Sequence, residues 1–188
     1  MDIGDGTGTS TVSTGLRLTQ RIMLMPSEHY KVTVTKDHLV FSSGHFISFN
    51  GNQCERLHGH NYRVKVEVES PLDPNQYVFD FIALKLRTQE ITDTLDHRMM
   101  LPRTNPVIHV KEEGARVVVR YESKEWIFPA EDCILLPIQN TTAEELAKYI
   151  GKLLLKSLQE KHQYHPRILR VEVEECFGQS ATCELRLD

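Results

Sequence analysis

From His58 to Glu69 the side chains alternate: Tyr62, Val64, Val66 and Val68 share one side, and Arg63, Lys65, Glu67 and Glu69 take the other. A period of two places successive side chains on opposite faces of a strand, so this segment predicts a half-buried antiparallel strand. Upstream, Tyr30 to Phe46 reads as extended, YKVTV and then HLVFSSGHF, with a turn near Lys36-Asp37. Leu39, Phe41, Ser43 and His45 have one parity and therefore one face. The Pro- and Asn-rich SPLDPNQY predicts a turn. Asp80 can N-cap a helix from Ile82 to about Asp96, with Leu84, Ile91 and Leu95 at near-helical spacing. Between Leu101 and Pro137 the texture differs and predicts a small hairpin or meander turning at Glu113-Gly114. Thr142-Ala-Glu-Glu145 fits a capping box that opens a second helix to about Gln159, with Leu146, Ile150, Leu153 and Leu154 inward. RILRVEVEECFGQSATCELRL, ending at Leu187, predicts two strands around a Gly-containing turn. The order β-β-α, inserted hairpin, α-β-β describes an α+β layer: an antiparallel sheet with two helices on one face.

Composition narrows the class. With 188 residues, 40% hydrophobic and 26% charged, the sequence is able to bury a core, which excludes global disorder. Twenty-two basic against 26 acidic residues give −4, which argues against a nucleic-acid or anionic-membrane partner. No apolar run approaches the roughly 20 residues a membrane helix needs. Cys54, Cys133, Cys176 and Cys183 are too sparse for a disulfide scaffold and form no C-x-x-C pair. The opening MDIGDGTGTSTVSTG has neither an apolar segment nor basic amphipathic character. It predicts a flexible tail over residues 1–28, followed by one domain over 29–188, in a reducing cytoplasm with free thiols.

Among nine histidines, His58 and His60 form an H-x-H pair on the inward parity of the alternating strand. Such a pair sets two imidazoles side by side, and His45, ending the preceding strand on the Phe41 face, can supply a third. Three histidines with an open fourth position suit a catalytic zinc. The competing reading is of ordinary strand-end histidines bonded to backbone. Cys54, four residues before His58, is a thiol that a nearby cation would acidify, or else a fourth structural ligand or an inert loop thiol. Asp96-His97 at a helix end can pair a carboxylate with an imidazole for proton transfer, against a plain helix C-terminal histidine. Glu175 shares parity with Val171 and Val173. A carboxylate in that inward phase needs a specific donor, such as the N–H/NH₂ edge of a guanine-like ring, or a strand-end Lys or Arg.

FSSGHF, CERLHGHNY, VFDF, LDH, NTTAEELA and VEEC, in this order, resemble the 6-pyruvoyl-tetrahydropterin synthase / 6-carboxy-tetrahydropterin synthase family. The resemblance spans about Tyr30 to Leu187, interrupted from about Asn105 to Pro137. It implies a tunnelling (T-) fold with a four-stranded antiparallel sheet, and homohexamers built from two trimers with sites between subunits. It implies Zn²⁺ held by His45, His58 and His60, Cys54 as catalytic thiol, Asp96 and His97 as a proton relay, and Glu175 as anchor of the pterin ring. Thr141 and Thr142 match a turn that contacts the pterin. The Cys-x3-His spacing resembles the carboxy branch of queuosine biosynthesis. The implied activity is a zinc-dependent lyase acting on the small molecule 7,8-dihydroneopterin triphosphate to give 6-carboxy-5,6,7,8-tetrahydropterin. A 6-pyruvoyl product is the alternative within the family. A non-catalytic domain with a closed Cys-His₃ zinc site is the remote one. The long tail and the insertion depart from the shortest family members.

Overall fold

A computed structural model describes residues 27–187, together with Met1 and Gly4. Most of the expected tail, residues 1–28, lies outside the described residues. Strand β1 (Lys31–His45) pairs antiparallel with β4 (His58–Glu69), and between them a two-stranded ribbon forms from β2 (Ser48–Phe49) and β3 (Gln53–Cys54). The turn expected near Lys36-Asp37 is instead an irregularity within one long strand. β1 advances from Thr35 to Val40 while β4 moves only from Lys65 to Arg63. That slip changes the parity of β1, so Val32 and Val34 before it and Leu39 and Phe41 after it all face the core.

Helix α1 (Phe81–Leu95) starts at Asp80, whose carboxylate accepts from the Ala83 amide at 2.8 Å. Helix α2 (Ala143–His162) starts at Thr142, which accepts from the Glu145 amide at 3.5 Å. The polypeptide then returns through β10 (Ile168–Cys176) and β11 (Gln179–Arg186). α1 and α2 bury Leu84, Ile91, Leu95, Leu146, Ile150, Leu154 and Leu158 against Phe41, Tyr62, Val66, Val171 and Val173 of the sheet. Burying an aliphatic or aromatic side chain in this way contributes about 1.5–3 kcal/mol each before entropy is counted.

The expected four-stranded sheet is larger by two. Its order is β11-β10-β4-β1-β5-β9, where β5 (Arg98–Pro102) and β9 (Cys133–Leu136) add parallel strands beside β1. β5 shows no alternation because both of its faces are covered. Met100 enters the helix-side core, while Met99 and Leu101 enter a second core. That second core also holds Phe46, Ile108, Val117, Val119 and Tyr121, from an antiparallel meander of β6 (His109–Glu113), β7 (Arg116–Tyr121) and β8 (Lys124–Pro129). The expected hairpin is therefore this three-stranded meander on the sheet face opposite the helices, and the segment after it rejoins the main sheet as β9. Among the described residues no helix is long and apolar enough to cross a membrane.

Candidate metal centre and its surroundings

The antiparallel register places His45 directly opposite His58 at the point where β1 ends and β4 begins. His60 follows two residues on, and the three ring centroids lie 4.6, 5.2 and 4.8 Å apart. One ligand nitrogen from each ring falls within 4.8 Å of the others. Cys54 is not part of this group, which separates the cluster from a closed Cys-His₃ arrangement.

The backbone sets how each ring presents itself. His45 Nδ1 lies 2.9 Å from the Thr141 carbonyl, and His58 Nδ1 lies 2.8 Å from the Arg56 carbonyl. A carbonyl only accepts, so each Nδ1 carries the proton and each Nε2 keeps a free lone pair. His45 Nε2 and His60 Nε2 are buried without a hydrogen-bond partner. Leaving such atoms unpaired is costly, and a metal ion relieves that cost by taking the lone pairs. Burial holds His45 down at about 4; its bond to Thr141 opposes this, and His58 and His60 add to it. The imidazole is thus neutral near pH 7, as a ligand must be.

Glu175 enters from β10. Its Oε1 is 3.2 Å from His45 Nε2 and 3.6 Å from His60 Nε2, without the alignment of a hydrogen bond to either. Tyr62, fully buried and stacked on Phe41 at 4.8 Å, directs its hydroxyl at the same oxygen from 3.4 Å. Burial, then the Glu175 charge, pushes the Tyr62 phenol well above its ordinary range, so it stays a donor. Glu175 also lines a cleft of about 350 Å³ with Ile47, Thr142, Gln179 and Ser180.

On the other side, a cleft of about 590 Å³ is lined by His58, His60, Asn61, His97, Arg98 and Asp132, among others. Asp96 ends α1, and its two carboxylate oxygens serve two groups: the Ser42 amide at 2.7 Å and His97 Nδ1 at 2.7 Å. The Ser42 amide first, then His97, holds the Asp96 carboxyl below its ordinary value. His97 sits in the left-handed region at φ 53°, its amide bonded to the Ser42 carbonyl at 2.7 Å. This backbone turn lets two adjacent residues meet in one site.

Two expected residues lie outside both clefts. Cys54 lines neither cleft; it is half-buried on β3, packed against the second core. Burial pushes its thiol up, and Lys124 opposes that rise. Thr141 is fully buried, with its hydroxyl donating to the Phe46 carbonyl at 3.3 Å and its own carbonyl holding His45. It stands behind the cleft that Thr142 lines. Sequence reasoning missed Tyr62 as a partner of Glu175, although both occupy the inward parity of their strands. It also missed Tyr121 and Lys124, which approach Cys54 from far along the sequence with no local signal.

The chain matches the family model described as 6-pyruvoyl tetrahydropterin synthase over residues 33–186. It is 35% identical over 144 residues to a putative 6-carboxy-5,6,7,8-tetrahydropterin synthase of Methanocaldococcus jannaschii, covering 76% of this chain and 88% of that one. It is 33% identical over 110 residues to the 6-carboxy-5,6,7,8-tetrahydropterin synthase of Aquifex aeolicus, covering 58% and 61%. The structure of 6-pyruvoyltetrahydropterin synthase from Plasmodium vivax superposes with a TM-score of 0.79 at 29% identity, over 86% of this chain and 100% of that one. The Plasmodium falciparum 6-pyruvoyl tetrahydropterin synthase gives 0.78 at 31% over the same shares.

Proposed function

The chain belongs to the 6-pyruvoyl tetrahydropterin synthase family of lyase-type enzymes, and from that premise we propose that it converts 7,8-dihydroneopterin triphosphate to 6-carboxy-5,6,7,8-tetrahydropterin, the queuosine branch. The observation that carries the reading is the pair of buried, unpartnered Nε2 atoms of His45 and His60 beside Glu175. It joins a metal-ready histidine set to a carboxylate suited to a pterin edge. The carboxy product is favoured by the names of the M. jannaschii and A. aeolicus relatives.

His45, His58 and His60 hold the metal, and a borderline-soft, all-imidazole set with room for substrate suits zinc. Bound zinc supplies Lewis-acid polarisation of the substrate's side-chain oxygens. Glu175, held by the Tyr62 hydroxyl, accepts from the N–H/NH₂ edge of the pterin and sets the reacting carbons in place. Thr142 lines the Glu175 cleft and contacts the ring, while Thr141 serves the same turn through its carbonyl to His45. Cys54 as thiolate removes the side-chain proton next to the ring. That electron pair passes into the ring C=N bond, which is reduced to the tetrahydro level as the side-chain alcohol becomes a carbonyl. A second deprotonation beside this carbonyl expels triphosphate from the terminal carbon. Asp96 accepts from His97 Nδ1, so His97 Nε2 faces the substrate to pass a proton to or from the developing oxygen. Water then enters, and a carbon–carbon bond in the substituent at the pterin 6-position breaks to release acetaldehyde. Arg98, in the histidine cleft, is the local cation for the triphosphate.

Residues 29–188 act as one catalytic domain, with the stretch 105–137 as an insertion, in the cytoplasm. The assembly is a homohexamer of two trimers. That Cys54 lines neither cleft fits a site completed between subunits.

The test is incubation with 7,8-dihydroneopterin triphosphate, with and without chelator, read by product mass. A chelator-sensitive product with a side chain two carbons shorter than the pyruvoyl compound supports the reading. A pyruvoyl product supports the second reading, which the fold similarity to the two Plasmodium enzymes favours. Full turnover by Cys54→Ala would remove the thiol from the mechanism.

A further inference from the structure

The ribbon that carries Cys54 hangs between His45 and His58 and is held by two residue pairs, Ser48 with Cys54 and Phe49 with Gln53. A two-stranded ribbon that short is not stable by itself in water. Its support comes from elsewhere in the fold. Asn140 accepts from the Ser48 amide at 3.2 Å and donates to the Ser48 carbonyl at 2.8 Å, and Asn105 donates to the Ser48 hydroxyl at 2.9 Å. These contacts fix the β2 side. The meander meets the ribbon at its entry and at its turn. Trp126 of β8 stacks on Phe46 with centroids 4.8 Å apart and planes at 24°. Tyr121, at the end of β7 and nearly buried, donates its hydroxyl to the Asn52 carbonyl, two residues before Cys54. Lys124 pairs with Tyr121 across the β7–β8 turn, and its Nζ lies 5.7 Å from the Tyr121 ring centroid. One tight turn therefore presents a hydroxyl that grips the ribbon and an ammonium beside it.

We propose that Tyr121 and Lys124 are positioning residues for Cys54, Tyr121 fixing the ribbon and Lys124 setting a cation against the thiol. The proposal rests on the reading of Cys54 as the base of the reaction, and gives the meander a part in that step. Cys54 packs against the second core that Tyr121 helps to build, the Lys124 ammonium lies against the Tyr121 ring, and Glu55 follows Cys54 in sequence. Burial and Glu55 both disfavour the thiolate, and Lys124 opposes them. A cation beside a thiol stabilises the anion, which is the form that removes a proton. The meander thereby counters the burial that the second core imposes on Cys54.

The test is the rate of alkylation of Cys54 by iodoacetamide against pH, in the metal-loaded full-length protein. Peptide mass analysis separates Cys54 from Cys133, Cys176 and Cys183. Lys124→Met is expected to slow the reaction about threefold or more near pH 7 and to converge with the parent once the thiol is fully ionised. Lys124→Arg keeps the parent profile. Lys111→Met, a surface change on the same meander, leaves it unchanged. Tyr121→Phe changes the rate by a similar factor at both ends of the pH range, because it alters access to the thiol more than charge. A Lys124→Met profile that superposes on the parent, or a deficit that persists at alkaline pH, overturns the role of Lys124. A Tyr121→Phe profile indistinguishable from the parent overturns that of Tyr121. Turnover of Cys54→Ala is measured separately. If it is undiminished while the Lys124→Met alkylation deficit stands, the base assignment fails and the positioning survives.

Discussion

Asp96 joins two parts of the fold through one carboxylate, and the proposed relay uses the same group. One oxygen ties the end of α1 to β1 through the Ser42 amide, and the other holds His97 Nδ1. The first bond, more than the second, depresses the carboxyl below its ordinary value. A group depressed on folding adds stability above its unfolded value of about 3.9, and that stability is lost as pH falls through the folded value. Asp96→Asn should therefore unfold at lower urea than the parent at pH 7, with the gap closing in acid. A gap in urea midpoint that is independent of pH would contradict this. The same variant should lose about 100-fold in turnover, since an amide can equally favour the wrong imidazole tautomer, while zinc affinity stays unchanged. The Asp-His adjacency was visible in the sequence. The left-handed backbone at His97 was not, because it depends on the hydrogen bond from the His97 amide to the carbonyl of Ser42, far away in sequence. Tyr62 was placed on the correct face by parity alone, but parity does not tell which polar atom a buried phenol will meet.

The long strand β4 could be read because only one of its faces is buried; β5 and β9 could not, since a strand buried on both faces loses the alternation that identifies it. Helix limits were easier to anticipate, since Asp80 and Thr142 act through their own local bonds. The β1–β4 pair also carries a constraint that no periodicity reveals. A methyl group at Gly59, between two candidate ligands, would stand 2.9 Å from the Ser43 carbonyl oxygen and 3.5 Å from Gly44 Cα. Both neighbours are backbone, so relief requires the strands to part where His45 faces His58. Gly59→Ala should weaken zinc binding about tenfold or more, comparable to the loss of an outer-shell support, with helix content preserved. Zinc titration beside far-ultraviolet circular dichroism checks this; unchanged affinity would mean that the pair tolerates displacement. The meander was recognisable as strands, yet its partner was not, because contacts such as Trp126 with Phe46 join segments 80 residues apart.

The two cores and the histidine cluster divide the work of the molecule. The helix-side core and the meander-side core are both built from apolar side chains that need no metal to pack. The candidate ligands sit at the junction of β1 and β4, with His45 buried, His60 partly buried and His58 open to the cleft. A closed structural zinc site would hold the fold together, and its removal would unfold the protein. Here the metal should add stability without being its source. Binding only to the folded state stabilises it by about 2.7 kcal/mol at one hundred times the dissociation constant. For a domain of this size that corresponds to a rise in Tm of roughly 5–10 °C. Chelated protein should therefore melt cooperatively at a lower Tm, keep its far-ultraviolet spectrum, and regain both Tm and turnover when zinc is restored. His45→Ala should remove the zinc-dependent rise even with zinc in excess. Cooperative unfolding on chelation alone would assign the cluster to the fold and withdraw it from the chemistry.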